Sequence, residues 1–237
     1  MLKRTFDILV SGIGWAVSLP LWGLIALAVK LEDGGPVFYR QRRVGKDTRE
    51  FTGLKFRSMV PDSEDKWGAV PASEDDPRIT RTGRILRATA MDELPQLWNI
   101  LRGDMSLVGP RPEWVELVKQ FRKEIPTFDR RHAIRPGLTG LAQVYGHSEL
   151  SRRQKLRYDL LYIKRQSFWL DLRLILFSFL VTFTAGWEVR LPKVPRWLGA
   201  FRVRWIRTAL PGRTLPKTSS RLRSMTEQLS SHSRKGA

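Results

Sequence analysis

An uncharged stretch near the N-terminus constrains this chain more than any other feature of its sequence. From Ile8 to Val29 there are 22 consecutive residues without a charge, which is enough for one helix to cross the hydrocarbon core of a bilayer. Basic residues lie on both sides of it, with Lys3 and Arg4 before and Lys30 directly after. Because both flanks are basic, the positive-inside tendency gives no orientation for a single crossing.

A proline lies near the middle of the same stretch. Pro20 removes one helical hydrogen bond and disfavours straight continuation of the helix. Two basic ends and a central breaker fit a hairpin that enters and leaves the membrane on the cytoplasmic side, with the Ser18 hydroxyl satisfying backbone carbonyls that the break frees. A straight or merely kinked single span fits the same residues about as well, so the composition leaves both topologies open.

The charge balance of the whole chain points to a polyanionic partner. The 237 residues carry a formal net charge of +19 and the sequence pI is about 11.1. Nucleic acid, anionic lipid and a phosphorylated substrate all satisfy such a charge. The chain has no cysteine, which excludes disulfides, thiolate metal sites and a cysteine nucleophile, and its three histidines argue against a histidine-rich metal site.

The patterning after the apolar stretch predicts an α+β fold that is mainly α. Residues 37–40 and 51–56 alternate as two strands around a turn, which predicts a small β-hairpin. Apolar residues at helical spacing then predict several helices that form a compact catalytic domain. The predicted helices contain residues 94–101, ending at Gly103, then 113–123 and 149–165.

The C-terminal part divides into a second apolar segment and a basic tail. Asp171 and Arg173 interrupt residues 168–187, so that segment is predicted to be an interfacial or core helix and not a spanning one. Residues 187–237 carry twelve Lys or Arg against two acids, which predicts contact with anionic membrane lipids and a disordered end. We therefore expect a membrane segment at 1–35, a cytoplasmic catalytic domain with interfacial helices at 36–186, and a basic tail at 187–237.

The adjacent acids Asp92 and Glu93 form the most pointed chemical motif. Asp92 is a favourable helix N-cap, and Pro95 is tolerated in a first turn. Two carboxylates at a helix N-terminus would stay ionised, which suits a nucleophile or a Mg²⁺ ligand better than a general acid. When the pair is taken alone, an ordinary cap followed by a first-turn acid is the better explanation.

Arginines framed by prolines and glycines form the second kind of motif. Arg111 lies between Pro110 and Pro112, so its backbone is restricted on both sides and its guanidinium is pre-set for bidentate contact with phosphate. Arg135 precedes a Pro-Gly turn in a similar way. Each of these is also compatible with an exposed arginine in a structural loop, and Lys55 on a predicted strand with a solvated lysine.

Four motifs in order resemble the bacterial sugar transferase family, the monotopic polyprenyl-phosphate phosphoglycosyl transferases. The resemblance runs roughly from Lys3 to Phe183, about three quarters of the chain, and several long motifs in one order are specific where a single one is not. The four are Lys-Phe-Arg-Ser at 55–58, Asp-Glu-Leu-Pro-Gln-Leu-Trp-Asn at 92–99, Gly-Asp-Met-Ser-Leu-Val-Gly-Pro-Arg-Pro at 103–112, and Arg-Pro-Gly-Leu-Thr-Gly-Leu-Ala-Gln-Val at 135–144.

The resemblance implies a topology and a chemistry. It implies a re-entrant helix broken at Ser18 and Pro20, with both flanks at the cytoplasmic face of the bacterial inner membrane. It implies transfer of a sugar-1-phosphate from a UDP-sugar to undecaprenyl phosphate, with release of UMP and a covalent intermediate on Asp92, in the initiation of exopolysaccharide, capsule, O-antigen or related glycan synthesis. Glu93 matches the residue that holds Mg²⁺.

The remaining site residues are implied in the same way. Arg111 and Arg135 match positions that contact phosphate or nucleotide, while Lys55, Arg87 and Asp159 match further substrate-binding positions. The sugar stays open among galactose, glucose and N-acetylated sugars. The alternative is a non-enzymatic basic membrane protein that binds nucleic acid or anionic lipid; the acid pair and the proline-framed arginine disfavour it, so no nucleic acid partner is expected.

Overall fold

The computed structural model describes residues 1–61, 63, 76–145 and 150–188, and it begins with one long helix, α1 (Leu2–Asp33). Within the described part of the chain, α1 is the helix long and apolar enough to cross a membrane, with a mean hydropathy of 1.8 over an apolar window of 18 residues. Only 11% of that apolar window is buried inside the protein. The described residues therefore leave most of this apolar surface uncovered.

The helix α1 runs through Pro20 without a break. The predicted pair of helical arms is thus a single helix. Ser18 also, contrary to the prediction for it, does not bind the carbonyl that the proline frees. Its hydroxyl donates to the carbonyl of Trp15 (3.1 Å) and accepts from Trp22 Nε1 (3.0 Å), whereas the carbonyl that Pro20 leaves without an amide partner is that of Ala16, four residues before it. A proline can bend a helix without ending it, so re-entry stays a prediction about the direction of α1.

Both ends of α1 are bound to the same body. Near its start, Lys3 Nζ lies 2.7 Å from Asp171 Oδ2, and Asp7 Oδ1 accepts from the amide of Leu107 (3.1 Å). Near its end, Asp33 pairs with Arg57, and Glu32 accepts from the amides of residues 81 and 82. Buried Asp7 and the charged groups at the other end fix the helix to the domain at two distant points.

The predicted β-hairpin is confirmed. Strands β1 (Phe38–Val44) and β2 (Glu50–Phe56) pair in antiparallel register, with Tyr39 opposite Lys55. Helix α2 (Arg81–Ala88) follows, and its N-cap Thr80 accepts from the amide of Gly83 (2.9 Å). The hairpin, α2 and the second half of α1 share a small core of Ile25, Val29, Phe56 and Leu86.

A second, parallel pair of strands was not predicted from the sequence. After α3 (Gln96–Arg102) come β3 (Ser106–Val108) and, further along, β4 (Gly137–Thr139), which pair in parallel. Three-residue strands carry almost no periodicity, and a tertiary contact between distant loops decides them. A Cβ on Gly137 would lie 2.0 Å from the amide nitrogen of Gly109, so only glycine permits these two loops to lie this close.

The remaining helices are α4 (Val115–Glu124), α5 (Leu141–Tyr145), α6 (Arg152–Arg165) and α7 (Phe168–Glu188). Except α5, which the sequence did not predict, they agree with the predicted ones to within a few residues. Gly103 ends α3 in a left-handed conformation (φ 94°), as predicted. The largest core gathers Ile100, Met105, Val108, Tyr162 and Leu174 between α3, β3, α6 and α7. The fold is thus mainly helical, while the expected boundaries of the three parts stay predictions, and the basic tail lies beyond the described residues.

Candidate active site

The acid pair lies in a short 3₁₀ turn, Met91–Glu93, between α2 and α3. Ala90 enters this turn with φ 55°, a left-handed conformation that a non-glycine residue adopts at a cost. The N-cap of α3 is Pro95, which has no capping side chain, so the prediction that Asp92 caps this helix is wrong. Asp92 is instead 7% exposed, and its carboxylate is turned to a cation.

Lys55 and Arg111 hold the two carboxylates. Lys55 Nζ lies 3.4 Å from Asp92 Oδ2 and 2.6 Å from Glu93 Oε1. Arg111 Nη2 donates to the same Glu93 Oε1 (2.6 Å), and its Nη1 lies 3.5 Å from Oε2. The strand β2, the 3₁₀ turn and the loop after β3 therefore meet in one network of two acids and two bases.

The two acids differ in their electrostatics. Burial raises the pKa of Asp92, while Lys55 opposes that effect and the charge of Glu93 adds to it. Burial would also raise the pKa of Glu93, but Arg111 and Lys55 outweigh it and hold that pKa well below its usual range. Glu93 in turn raises the pKa of Arg111, so this pair is fully charged at neutral pH. The expected ionisation of the pair thus depends on cations and not on a helix terminus.

A cationic cavity of about 1050 Å³ surrounds the acid pair. Such a volume is at the upper end of the range for small-molecule sites. Its lining contains seven basic residues against three acidic ones, which suits a ligand with several phosphate charges. The basic residues are Arg40, Arg43, Lys55, Arg57, Arg78, Arg87 and Arg111, and the acidic ones are Asp92, Glu93 and Glu113.

Asp159 and Arg135 lie outside the lining of this cavity. Asp159 on α6 is 3% exposed and accepts from Nε (2.9 Å) and Nη2 (2.8 Å) of buried Arg131. Burial raises the pKa of Asp159 to about 6, and Arg131 opposes that rise, so the pair is charged at pH 7. Arg135 is exposed and donates through Nε to the carbonyl of Gly103 (2.8 Å).

Comparison with known proteins places this chain in a family. The family model described as "Bacterial sugar transferase" matches residues 1–185 of the chain. The chain belongs to the bacterial sugar transferase family. Three curated relatives also match most of the chain.

The first relative, from Aeromonas hydrophila, is 45% identical over 80% of this chain and is named UDP-N-acetylgalactosamine-undecaprenyl-phosphate N-acetylgalactosaminephosphotransferase. A Klebsiella pneumoniae relative, UDP-glucose:undecaprenyl-phosphate glucose-1-phosphate transferase, is 44% identical over 73% of it. The chain spans 45% and 38% of the lengths of these two proteins. It spans 97% of a third, the exopolysaccharide production protein PSS of Rhizobium leguminosarum bv. phaseoli, at 40% identity over 78% of this chain.

Within this bacterial sugar transferase, the structure brings five of the seven predicted site residues to one cavity. Lys55, Asp92, Glu93 and Arg111 contact one another, and Arg87 on α2 lines the same space. Arg111 keeps 42% of its side chain exposed, so it remains accessible to a ligand. The substrate-binding functions of Arg135 and Asp159 have no support from the lining of this cavity and stay predictions.

Sequence reasoning missed the row of side chains along β1. Tyr39 is opposite Lys55, and residues two apart on a strand share a face, so Tyr39, Gln41 and Arg43 belong to the face of Lys55. The alternation was present in the sequence as a signal once Lys55 was singled out. Burial and the neighbouring Arg111 lower the pKa of Arg43 to about 10, which still leaves it charged at neutral pH.

The acid pair can supply part of the coordination shell of a Mg²⁺ ion. Among the described residues no cluster of three His, Cys, Asp or Glu side chains could hold a metal by itself. Mg²⁺ commonly takes only one or two protein carboxylates and completes its shell with substrate phosphate and water. Within the described part of the chain, Glu93 Oε2 makes only the long 3.5 Å contact with Arg111, which suits one such ligand.

Proposed function

We propose that this protein transfers a sugar-1-phosphate from a UDP-sugar to undecaprenyl phosphate and releases UMP, through a covalent intermediate on Asp92. One observation carries the proposal: a buried carboxylate and an ionised neighbour, held by Lys55 and Arg111, line a cavity rich in basic residues. The names of the relatives supply the donor and acceptor classes.

In the first half-reaction the Asp92 carboxylate attacks the phosphorus bonded to the sugar. The bond from that phosphorus to the bridging oxygen of the diphosphate breaks, and UMP leaves with the bridging oxygen and its electron pair. The product is a mixed anhydride of Asp92 and the sugar phosphate. A carboxylate with a raised pKa, poorly hydrated before attack, is a stronger nucleophile than a solvated one.

In the second half-reaction an oxygen of undecaprenyl phosphate attacks the same phosphorus. The acyl–phosphate bond breaks and returns the carboxylate of Asp92, while the sugar phosphate is joined to the lipid as a diphosphate. Two easier displacements replace one, which is the usual advantage of covalent catalysis. Lys55 and Arg111 neutralise charge on the transferred phosphoryl oxygens in both steps.

Glu93 is the residue proposed to hold Mg²⁺, with substrate phosphate completing its shell. The bound ion would neutralise charge on the diphosphate and stabilise the leaving phosphate. Arg87, at the wall of the cavity, is proposed to contact the donor, and Arg135 a phosphate or nucleotide group outside it.

We further propose that the enzyme is re-entrant at the cytoplasmic face of the inner membrane. A straight helix of 32 residues is about 47 Å long. Yet Lys3 and Asp7 at one end and Glu32 and Asp33 at the other all make polar contacts with the same domain. A polar domain bound to both ends argues against a crossing that puts those ends on opposite sides of the bilayer. The bend is proposed at Pro20.

The nucleophile is tested with Asp92→Asn, which keeps the shape of the side chain but lacks the carboxylate. Purified wild-type enzyme with UDP-glucose or UDP-N-acetylgalactosamine, Mg²⁺ and no acceptor should release at most about one UMP per active site. Intact-protein mass spectrometry should then find one added sugar phosphate, mapped to Asp92. Asp92→Asn should form no adduct and lose at least about 1000-fold in UMP release.

Two other results of the same experiment would contradict the proposed intermediate on Asp92. A direct one-step transfer predicts neither adduct nor burst in the wild-type enzyme. A burst that survives in Asp92→Asn would move the nucleophile to another residue, with Glu93 the first to examine.

A further inference from the structure

Four consecutive carbonyls in the loop that presents Arg111 are all bound, by donors from three segments of the chain. The carbonyl of Pro110 accepts from the amide of Gly137 (2.9 Å), and that of Glu113 accepts from the amide of Val44 (3.1 Å). Between them, the carbonyls of Arg111 and Pro112 accept from arginine side chains.

The first of these side chains is Arg131. Its Nη2 donates to the carbonyl of Arg111 (2.8 Å) and, with Nε, to Asp159 Oδ2. Arg131 and Asp159 are 4% and 3% exposed, and neither lines the cavity. Asp159 therefore contacts Arg131 but is not placed to contact a ligand in that cavity directly.

The second is Arg43. Its Nη1 donates to the carbonyl of Pro112, and its Nη2 donates to Gln41 Oε1 (2.7 Å). The side chain passes over Gly53 of the opposite strand, where an added Cβ would lie 3.1 Å from Arg43 Cδ. The hairpin is thus joined to the loop by a side chain that a larger residue at position 53 would displace.

Together these contacts fix the backbone on both sides of Arg111. Pro110 and Pro112 restrict the rotation of the chain, and the two arginines fix the orientation of two successive peptide planes. We infer that Arg131, oriented by Asp159, is a positioning residue for the proposed transfer, and that it acts through the backbone of Arg111. Arg43 holds the same backbone through the carbonyl of Pro112. We call these contacts of Arg131 and Arg43 with the loop the clamp.

The function of Asp159 changes accordingly. The family resemblance implies that Asp159 binds substrate, and the inference proposes that it orients Arg131. A buried ion pair contributes little net stability compared with apolar residues of similar size. Its directional hydrogen bond to the Arg111 carbonyl is the feature that an apolar pair cannot reproduce.

A double-mutant cycle tests the inference, which rests on the proposed function for its kinetic readout. Arg131→Met should lower kcat/KM for the UDP-sugar on the order of 100-fold, because small misplacements of a charged group are costly. In an Arg111→Met background the same change should cost less than about threefold, because the group it positions is already gone. Equal losses in both backgrounds would overturn the inference.

Two variants separate positioning from folding. Arg131→Met paired with Asp159→Leu leaves no buried charge unpaired, so it should fold, with a melting temperature near that of the wild type, and still show the kinetic loss. Arg131→Lys keeps one charge without the forked donor and should lose on the order of tenfold. Arg122→Met, at an exposed arginine paired with Asp129 on the 3₁₀ segment 128–133, is the matched control and should change neither rate nor stability.

Hydrogen exchange provides a readout that does not depend on turnover. In the Arg131→Met, Asp159→Leu protein, peptides covering residues 106–114 should exchange faster, while peptides covering α3 should not. Unchanged exchange at 106–114 would overturn the clamp even in an active enzyme. An inactive wild-type enzyme with the expected exchange change would instead refute the proposed function and leave the clamp standing.

Discussion

At the scale of single residues, the acids of the site are distinguished by how many cations each one contacts. Among the described residues, Glu93 has Lys55 and Arg111 within 2.6 Å of one oxygen, while Asp92 has the single, longer contact with Lys55. The residue that is more fully neutralised suits a fixed electrostatic function. The residue that is less engaged suits bond formation, since its oxygen remains available to a phosphorus.

The first prediction concerns Glu93→Gln, which keeps the shape of the side chain and removes its charge. We expect a loss in kcat of about 100-fold at low Mg²⁺, because the change weakens both the proposed metal ligand and the partner of Arg111. Raising the Mg²⁺ or Mn²⁺ concentration should restore part of the rate, measured by UMP release. Asp92→Asn is the control, because no metal concentration should restore it. A Glu93→Gln defect that is independent of metal concentration would argue against a metal function for this residue.

A second prediction concerns His132, which lies outside the site. Burial, aided by Arg131, lowers the pKa of His132 to about 4, and its Nε2 is buried without a partner in the described part of the chain. The unfolded chain takes up a proton near pH 6.5 and the folded chain only near pH 4, so stability is lost as the pH falls through this window. The maximum effect is about 3 kcal/mol.

Thermal unfolding in detergent between pH 7.5 and 4.5 measures this effect. His132→Phe should lose less stability on acidification than the wild type, and Asp129→Asn, which removes the carboxylate 3.2 Å from Nδ1, should lose more. Parallel pH curves for the wild type and His132→Phe would contradict the prediction.

At the scale of elements, the site depends on how closely α2 lies against the end of β2. A Cβ on Gly83 would lie 2.0 Å from the carbonyl oxygen of Ser58, so this helix has no room for a side chain at that position. The carbonyl of Ser58 also accepts from the amide of Thr80 (3.2 Å), which fixes the start of α2. Because Arg87 projects from the last turn of α2, a shift of this helix would move it relative to Lys55.

The third prediction is that Gly83→Ala destabilises the fold by about 2–3 kcal/mol, as overpacking of a tight contact does. The matched control is Gly23→Ala in α1, where an added Cβ meets nothing within 4 Å. That change should be neutral or slightly stabilising, because alanine is the better helix former. Melting temperatures of the two variants decide the prediction, and equal values would contradict it.

At the scale of the whole molecule, the attachment of both ends of α1 to one domain determines the expected topology. The chain has no native cysteine, so single cysteines give a clean labelling background. Leu2 and Lys46 are both exposed, unlike Lys3, whose ammonium is engaged by Asp171. They are therefore the suitable positions on either side of the apolar stretch.

The fourth prediction is that Leu2→Cys and Lys46→Cys react with a membrane-impermeant thiol reagent only in inverted inner-membrane vesicles. Leu19→Cys, exposed beside Pro20 in the middle of α1, should be protected from the reagent on both sides. Labelling of Leu2→Cys from the periplasmic side would establish a single crossing and exclude re-entry.

The sequence alone predicted the elements that depend on local rules. Alternation gave the β-hairpin, helical spacing gave α3, α4 and α6, and the left-handed Gly103 ended α3 where expected. Motif order pointed to the family, and with it to Lys55, Asp92, Glu93, Arg87 and Arg111, all of which the fold brings to one cavity.

Only the tertiary structure decided the features that depend on residues far apart in the chain. The pairing of β3 with β4, the contacts of Asp92 with Lys55 and of Glu93 with Arg111, and the burial of Asp159 against Arg131 all arise from contacts between distant segments. Local propensity cannot specify such contacts, because a carbonyl accepts equally well from any donor that the fold delivers. Which donor arrives at Arg111 is determined by packing, and packing is a property of the whole chain.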